Sequence, residues 1–130
     1  MSGHSLYVLR KKSAPRYKRD AGIVSYLLAS ARTSQSQHLT TTLVEIEPGG
    51  IQRIHSHIPE QIYFILEGSG SMTVGSESEQ VGPGDCVFIP SGSDHGLIND
   101  GNSTLRYFSA SAPTFEKNEL YEFWPLDPEG

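Results

Sequence analysis

Turn signals recur about every ten residues along most of this chain and divide it into short runs of strand-forming residues. Glycine and proline, 13 and 8 of the 130 residues, are concentrated in breaks such as Pro48–Gly50, Gly82–Asp85 and Pro90–Asp94. Short strands joined by tight turns are typical of antiparallel sandwiches and barrels. The sequence therefore predicts an all-β fold with one core, because a chain of this length fits a single domain.

The runs between the breaks are rich in branched and aromatic residues and are predicted to be strands. They are Ile23–Leu28, Leu39–Glu47, Ile51–His57, Gln61–Glu67, Ser71–Val74, Cys86–Ile89, His95–Asn99 and Leu105–Ser109. Several of these runs alternate between apolar and polar residues. That alternation indicates antiparallel strands with one face turned to a core.

The two ends of the chain differ from this pattern. The chain divides into a basic arm, a barrel and an aromatic tail, at residues 1–20, 21–112 and 113–130. In the arm, Leu6–Leu9 is predicted to pair as an edge strand. In the tail, Glu116–Phe123 is predicted to be a short helix with Thr114 as its N-cap. We expect the tail to pack on the barrel or at a dimer interface.

The net charge of −5 is split between regions of opposite sign: residues 1–20 carry +5 and residues 21–130 carry −10. An acidic body opposes nucleic-acid binding through its own field. No run approaches the roughly 20 consecutive apolar residues of a membrane span. Cys86 is the only cysteine, which excludes an intramolecular disulfide and a cysteine-based zinc finger. The sequence thus predicts a soluble cytoplasmic protein with no nucleic-acid or membrane partner.

Two segments carry most of the chemical information. Residues 49–68 read glycine, five residues, His55-Ser56-His57, three residues, Gln61, six residues, glycine. Residues 84–99 read glycine, five residues, proline, one residue, glycine, two residues, His95, three residues, asparagine. Imidazole nitrogens from two segments of one barrel indicate a shared metal ion.

Strand parity supports this interpretation. Successive side chains of a strand point to opposite faces, so His55 and His57 should share a face. On the next strand, Gln61 and Tyr63 should share a face and can converge with the histidines. A turn then delivers His95 to one defined face of the sheet, and Asn99 can close the following turn with its side-chain amide.

These two segments resemble the two motifs of the cupin superfamily, in the compact form of its small single-domain members. The motifs and their flanking strands cover Leu39–Ser109. The resemblance implies a double-stranded β-helix, or jelly-roll, barrel that forms a homodimer and holds one divalent metal ion. Carried over, the ligands are His55, His57, Gln61 and His95. Imidazole-rich, oxygen-poor sites suit Fe, Ni, Zn or Cu, whereas Mn prefers more carboxylate.

Gln61 stands where the family most often has glutamate. A neutral amide leaves the double charge of the ion uncompensated, which weakens ion binding and strengthens attraction for an anionic substrate. Glu60 is an alternative fourth ligand if the strand is locally bulged.

Three further residues are candidates for the substrate pocket. Arg53 shares the predicted face of His55 and could clamp a carboxylate or phosphate, with a rim arginine paired to a surface acid as the alternative. Tyr63 is a candidate catalytic base and substrate contact, with barrel packing as the alternative. Phe108 is a candidate substrate contact, with a core or subunit contact as the alternative.

Three classes of function follow, since fold alone does not select among them. The first is a metal-dependent enzyme that acts on a small oxygen-rich molecule, a carboxylate or a sugar-like compound, by oxygenase, isomerase or lyase chemistry. The second is a non-catalytic protein that binds or senses a small molecule. The third is a purely structural barrel.

Overall fold

The computed structural model describes residues 6–19 and 22–126. Within these residues the chain forms strands and one C-terminal α-helix, after a 3₁₀ turn at Lys11–Ser13. The elements are β1 (Arg16–Arg19), β2 (Ile23–Leu27), β3 (Thr40–Ile46), β4 (Ile51–His55), β5 (Glu60–Glu67), β6 (Gly70–Val74), β7 (Glu77–Val81), β8 (Cys86–Ile89), β9 (His95–Ile98), β10 (Leu105–Ala112) and α1 (Lys117–Phe123).

The strands form two antiparallel sheets. The larger sheet has the order β1-β2-β3-β10-β5-β8 and the smaller has the order β4-β9-β6-β7. Alternate side chains of both sheets fill the space between them, and the buried core includes Ile46, Ile65 and Leu97. This arrangement is a jelly-roll barrel, so the predicted fold class is confirmed.

The edge strands were the hardest part to predict. Residues 6–10 contain no strand, and the edge position beside β2 is occupied by Arg16–Arg19 instead of Leu6–Leu9. The prediction also omitted Glu77–Val81, which pairs with β6 alone and is exposed at all but its last residue. An edge strand with solvent on both faces needs no apolar alternation, so its sequence resembles a polar loop.

Glycines shape turns in both histidine-bearing segments. Gly49, Gly68, Gly84 and Gly92 all have positive φ, between 76° and 90°. At Gly68 the backbone also passes so close to Thr104 that a β-carbon would lie 2.5 Å from its carbonyl oxygen. The motif glycines therefore meet a steric requirement that other residues would meet only under strain.

Asn99 closes the last turn of the second segment, as predicted. Its side chain is fully buried, donates to the carbonyls of Ile46 and Ser103 at 2.8 and 2.9 Å, and accepts from the amide of Gly101 at 3.0 Å. This one amide side chain satisfies backbone groups that the turn would otherwise leave buried and unpaired.

The C-terminal helix begins at Lys117 with Glu116, and not Thr114, as its N-cap. Glu116 and Glu119 form a capping box in which each side chain accepts the backbone N–H of the other residue. The Thr114 hydroxyl instead hydrogen bonds with the Thr40 hydroxyl at 2.8 Å. Thr114 is thus tied to the barrel and is not free to cap the helix. No helix among the described residues has the length and apolar character needed to cross a membrane.

Candidate metal centre

Strand pairing brings the three histidines together inside the barrel. His55 ends β4 and is the direct antiparallel partner of His95, the first residue of β9; their ring centroids are 4.2 Å apart. His57 follows in the next turn, with its ring centroid 4.9 Å from that of His95. One nitrogen from each ring lies within 4.8 Å of the others. The three histidines therefore form a cluster that could hold a metal ion.

Backbone carbonyls fix the orientation of all three rings. In each histidine Nδ1 donates to a carbonyl oxygen two residues away, at 2.8 to 2.9 Å: His55 to Arg53, His57 to Pro59 and His95 to Ser93. A carbonyl only accepts, so the proton lies on Nδ1 and the Nε2 lone pair is left for another partner. This is the arrangement by which protein backbones orient metal-binding histidines.

His95 gives the clearest reason to expect a metal ion among the three histidine rings. The residue is 0% exposed, and its Nε2 is buried with no hydrogen-bond partner. Burial lowers the pKa of His95 from 6.5 to about 4, so the ring is neutral at pH 7 and can act as a ligand. A buried lone pair without a partner is unfavourable. A metal ion would satisfy it.

Gln61 lies on β5, in the opposite sheet, and faces the histidines. Its Oε1 is 3.0 Å from Nε2 of His57, although both atoms are acceptors when Nδ1 of His57 carries the proton. Two ligands bound at about 2.1 Å and at right angles on one ion would lie about 3.0 Å apart. The contact therefore fits two neighbouring ligands of one metal ion. Glu60 lies at the exposed start of the strand.

Ser109 contacts the side-chain amide of Gln61 from the side opposite His57 within the hydrogen-bond network. The Gln61 amide nitrogen donates to the Ser109 hydroxyl at 3.3 Å, and Ser109 pairs with the Thr42 hydroxyl at 2.5 Å. Both hydroxyls belong to the larger sheet, on β10 and β3. Sequence analysis missed both residues, because a serine or threonine facing inward has no signal beyond strand parity.

Tyr63 is buried in the barrel on the same strand as Gln61. Its ring stacks on Tyr107 with centroids 4.1 Å apart, and its hydroxyl donates to Oε1 of Gln52 at 3.0 Å. Burial raises the pKa of Tyr63 to about 12, so the phenol is protonated at neutral pH. In this state it donates a hydrogen bond and does not accept a proton as the predicted base would.

The two other predicted pocket residues, Arg53 and Phe108, have different outcomes. The register of β4 shifts between Gln52 and His55. The rule that side chains two residues apart share a face therefore does not apply strictly between Arg53 and His55. Arg53 is exposed and lines the cavity beside the histidines.

Phe108 does not line that cavity, because Tyr107 and Ser109 are the inward-facing residues of β10. The sequence contains a signal for this correction, since Phe108 shares its face with Arg106, which is bound to surface carboxylates.

A cavity of about 1150 Å³ adjoins the histidines and is lined in part by the C-terminal segment. Phe115 contacts His57 edge-on, with ring centroids 5.4 Å apart. Arg32 donates to the carbonyl oxygens of Leu120 and Trp124 at 3.1 and 2.9 Å, and so holds the end of α1 against the barrel. The C-terminal segment therefore packs against the barrel beside His57.

The chain matches the family model described as Cupin domain over residues 42–111. An uncharacterized protein of Methanocaldococcus jannaschii is 33% identical over 115 residues, which cover 85% of this chain and 90% of that protein. The dimethylsulfoniopropionate lyase DddW of Ruegeria pomeroyi is 33% identical over 82 residues, 62% of this chain and 53% of the lyase. A solved RmlC-like cupin from Shewanella frigidimarina has a TM-score of 0.73 at 18% identity, covering 88% of this chain and 96% of that one.

A jelly-roll barrel with a histidine cluster beside its cavity defines the class of protein. The match to the family model assigns it: this chain belongs to the cupin domain family. The aligned region spans about half the length of the lyase DddW. The likeness to the solved Shewanella frigidimarina structure is one of fold.

Proposed function

We propose that this protein is a metal-dependent enzyme that acts on a small carboxylate or sugar-like molecule by lyase, isomerase or oxygenase chemistry. One observation carries the proposal. Three imidazole nitrogens lie within 4.8 Å of one another, and Nε2 of the buried His95 has no hydrogen-bond partner. A protein interior holds such an atom at a cost in free energy unless a ligand is bound to it.

His55, His57, His95 and Gln61 would hold the ion. A divalent ion bound there would act as a Lewis acid toward a carboxylate or carbonyl oxygen of the substrate. All four ligands are neutral, so the site favours an anionic group beside them. Nitrogen-rich ligands favour Fe, Ni, Zn or Cu over Mn.

Other residues of the cavity would position the substrate. Arg53 lines the cavity and can pair with a substrate carboxylate. Phe115 covers His57 and excludes water from that side of the site. The lyase relative DddW is named for dimethylsulfoniopropionate, which is a small carboxylate. That name supports the proposed substrate class.

The first experiment is elemental analysis of protein purified without a metal-affinity column. We expect near-stoichiometric metal in the wild-type protein and in His38→Ala, because His38 is an exposed loop residue outside the site. His57→Ala should lose the metal. A wild-type protein that stays metal-free after incubation with Fe, Ni, Zn, Mn and Cu salts would overturn the enzyme proposal and leave a binding or structural barrel.

The second experiment measures turnover by the metal-loaded protein on small carboxylates and sugar acids, with dimethylsulfoniopropionate among them. We expect turnover that His57→Ala abolishes and His38→Ala retains. Tight binding with no turnover of any bound compound would favour the alternative, a non-catalytic small-molecule-binding protein. The homodimer and the cytoplasmic location stay predictions, which sedimentation and fractionation can test.

A further inference from the structure

The outward face of the larger sheet is apolar where solvent contact would favour polar residues. Along β5 the side chains alternate: Tyr63 and Ile65 are buried in the barrel, whereas Phe64 and Leu66 are exposed on the opposite face. An antiparallel sheet with one face on a core commonly has polar residues on its other face, because that face meets water. The outward face of β5 departs from this pattern.

Strand register places further apolar side chains beside Phe64. Its direct partners are Phe108 of β10 and Cys86 of β8, and Phe108 pairs in turn with Leu43 of β3. Two residues further along the strands, a second row on the same face consists of Ala110, Ile62 and Phe88. These seven residues and Leu66 are called here the outer patch. It continues without a break across four neighbouring strands.

Three side chains of the outer patch leave much of their surface in water. Phe88 is 56% exposed, Leu66 is 42% exposed and Phe64 is 38% exposed. Since a phenylalanine has roughly 200 Å² to bury, these three side chains together expose about 250 Å² of apolar surface. Contiguous apolar patches of a few hundred Å² are often functional surfaces. The outer patch is therefore a candidate interface.

The sheet around the outer patch is large enough for a stable protein interface. The strands β3, β10, β5 and β8 are neighbours, and β5 and β10 have eight residues each. Four strands spaced by about 4.8 Å, with a rise of about 3.4 Å per residue, give a face of about 19 by 27 Å. A standard interface buries about 800 Å² of accessible surface on each partner, and a face of these dimensions with its side chains supplies that area.

The charges beside the outer patch are paired within the chain. Arg106 lies on the same face of β10 as Phe108, 2.7 Å from Glu45 and 2.8 Å from Glu67. The outer patch itself contains no charged residue. A partner for this face therefore needs an apolar surface and no complementary charge. Interfaces between identical chains have this character more often than those of non-obligate complexes do.

We propose that the outer patch is the interface between two copies of this chain, related by a two-fold axis. A two-fold interface brings the same surface of each copy against itself. An apolar, uncharged sheet face satisfies that condition, because it is complementary to its own copy. The proposal puts the interface on the larger sheet and not on the N-terminal arm or the C-terminal tail. It does not depend on the metal site, because Gln61 and Tyr63 face the cavity from the other side of β5.

Sedimentation equilibrium between about 1 and 100 μM tests the proposal. We expect the wild-type protein to be a dimer. We expect Phe64→Glu and Phe88→Glu each to raise the dissociation constant of the dimer at least about thirtyfold, since each puts a charge into an apolar interface. A two-fold interface contains each substitution twice, which increases the effect. Both side chains point away from the core, so circular dichroism spectra should remain those of the wild type.

Two control variants carry the same new charge at other exposed apolar positions. Ile98 is 43% exposed on the outward face of the smaller sheet, and Val8 is 54% exposed in the N-terminal arm. Ile98→Glu and Val8→Glu should therefore dimerise as the wild type does. Dissociation caused by either control, with both patch variants still dimeric, would move the interface elsewhere and overturn the proposal.

The remaining outcomes separate this inference from the proposed function. A wild-type protein that is monomeric at the highest of these concentrations would overturn the interface and leave the metal-dependent enzyme standing. Folded patch variants that dimerise as tightly as the wild type would do the same. A dimer that the patch variants dissociate, but that binds no metal, would support the interface and overturn the proposed function.

Discussion

Two parts of the cavity lining, called here the histidine end and the helical end, are built in different ways. At the histidine end, His55 and His95 are paired residues of neighbouring strands, and a backbone carbonyl orients each imidazole. At the helical end, the seven-residue helix α1 lines the cavity, and Arg32 ties its last turn to the barrel. The sheets therefore hold the histidine end, whereas a few side-chain contacts hold the helical end.

This difference separates two tasks. Metal ligands must be placed to within about 0.5 Å, and strands with defined register provide that accuracy. Ligand entry needs an element that can move, and short helices with little buried surface open at low free energy. In α1 only Leu120 is buried. Substitutions at the helical end should therefore leave metal affinity unchanged, and substitutions at the histidine end should leave the packing of α1 unchanged.

The largest effect is expected from His95→Ala at the histidine end. This change removes the most buried of the proposed ligands, so metal affinity should fall more than about a hundredfold. A competition titration with a chelating dye measures it. His38→Ala is the control, and an affinity for His95→Ala within a few-fold of the wild type would contradict the four-ligand site.

Ser109→Ala tests the support of the histidine end without removing a ligand. The amide of Gln61 loses the hydrogen bond that orients it, and we expect metal affinity to fall about 10- to 100-fold. Ser111→Ala is the matched control, since Ser111 also faces inward on β10 but donates to the carbonyl of Thr40. Equal effects of the two variants would show that Ser109 does not act through Gln61.

Arg32→Ala tests the helical end. The change removes two hydrogen bonds to the end of α1 and the contact of the guanidinium with Tyr121, 3.9 Å from its ring centroid. Chemical denaturation should show a loss of about 1–3 kcal/mol in unfolding free energy, with metal affinity unchanged. Arg10→Ala, at an exposed position, is the control. A parallel loss of metal affinity would show that the two ends are coupled.

The smallest effect is expected from an ion pair on the outer side of the larger sheet, apart from both ends. Glu45 lies 3.1 Å from Lys11 and 2.7 Å from Arg106. Burial raises the pKa of Glu45, but the hydrogen bonds and charges of Arg106 and Lys11 outweigh it and lower the pKa below 4.5. The folded state therefore binds this proton more weakly than the unfolded state does.

It follows that Glu45 contributes stability above its ordinary pKa and that this contribution is lost as pH falls below about 4.5. Thermal melting of the wild-type protein and of Glu45→Gln should be compared over roughly pH 3 to 7. The difference in Tm between the two proteins should be largest near neutrality and should shrink in acid. A difference that is constant across this range would contradict the lowered pKa. Metal affinity at neutral pH should not change.

Local patterns were sufficient to predict much of this molecule. The period-two alternation and the turn residues predicted the all-β barrel, and the motif resemblance pointed to His55, His57, Gln61 and His95, which the structure places together. Asn99 was predicted to close its turn with its side-chain amide, and the hydrogen bonds of that amide confirm the prediction. In each case the relevant physics acts between residues close in sequence: steric limits on φ, strand parity and turn hydrogen bonds.

Other features depended on contacts between distant segments. The register shift between Gln52 and His55 arises where β4 pairs with β9, and the outward face of Phe108 is set by which side of β10 meets the smaller sheet.

The sequence by itself determined the fold class, because alternation and turn chemistry are local, and its resemblance to the cupin motifs indicated the candidate metal ligands. Only the tertiary structure decided that Ser109 orients Gln61, that Arg32 holds the helix and that the C-terminal segment lines the cavity beside the histidines. These residues are up to 92 positions apart in the chain, and only the packing of the two sheets and the tail brings them together.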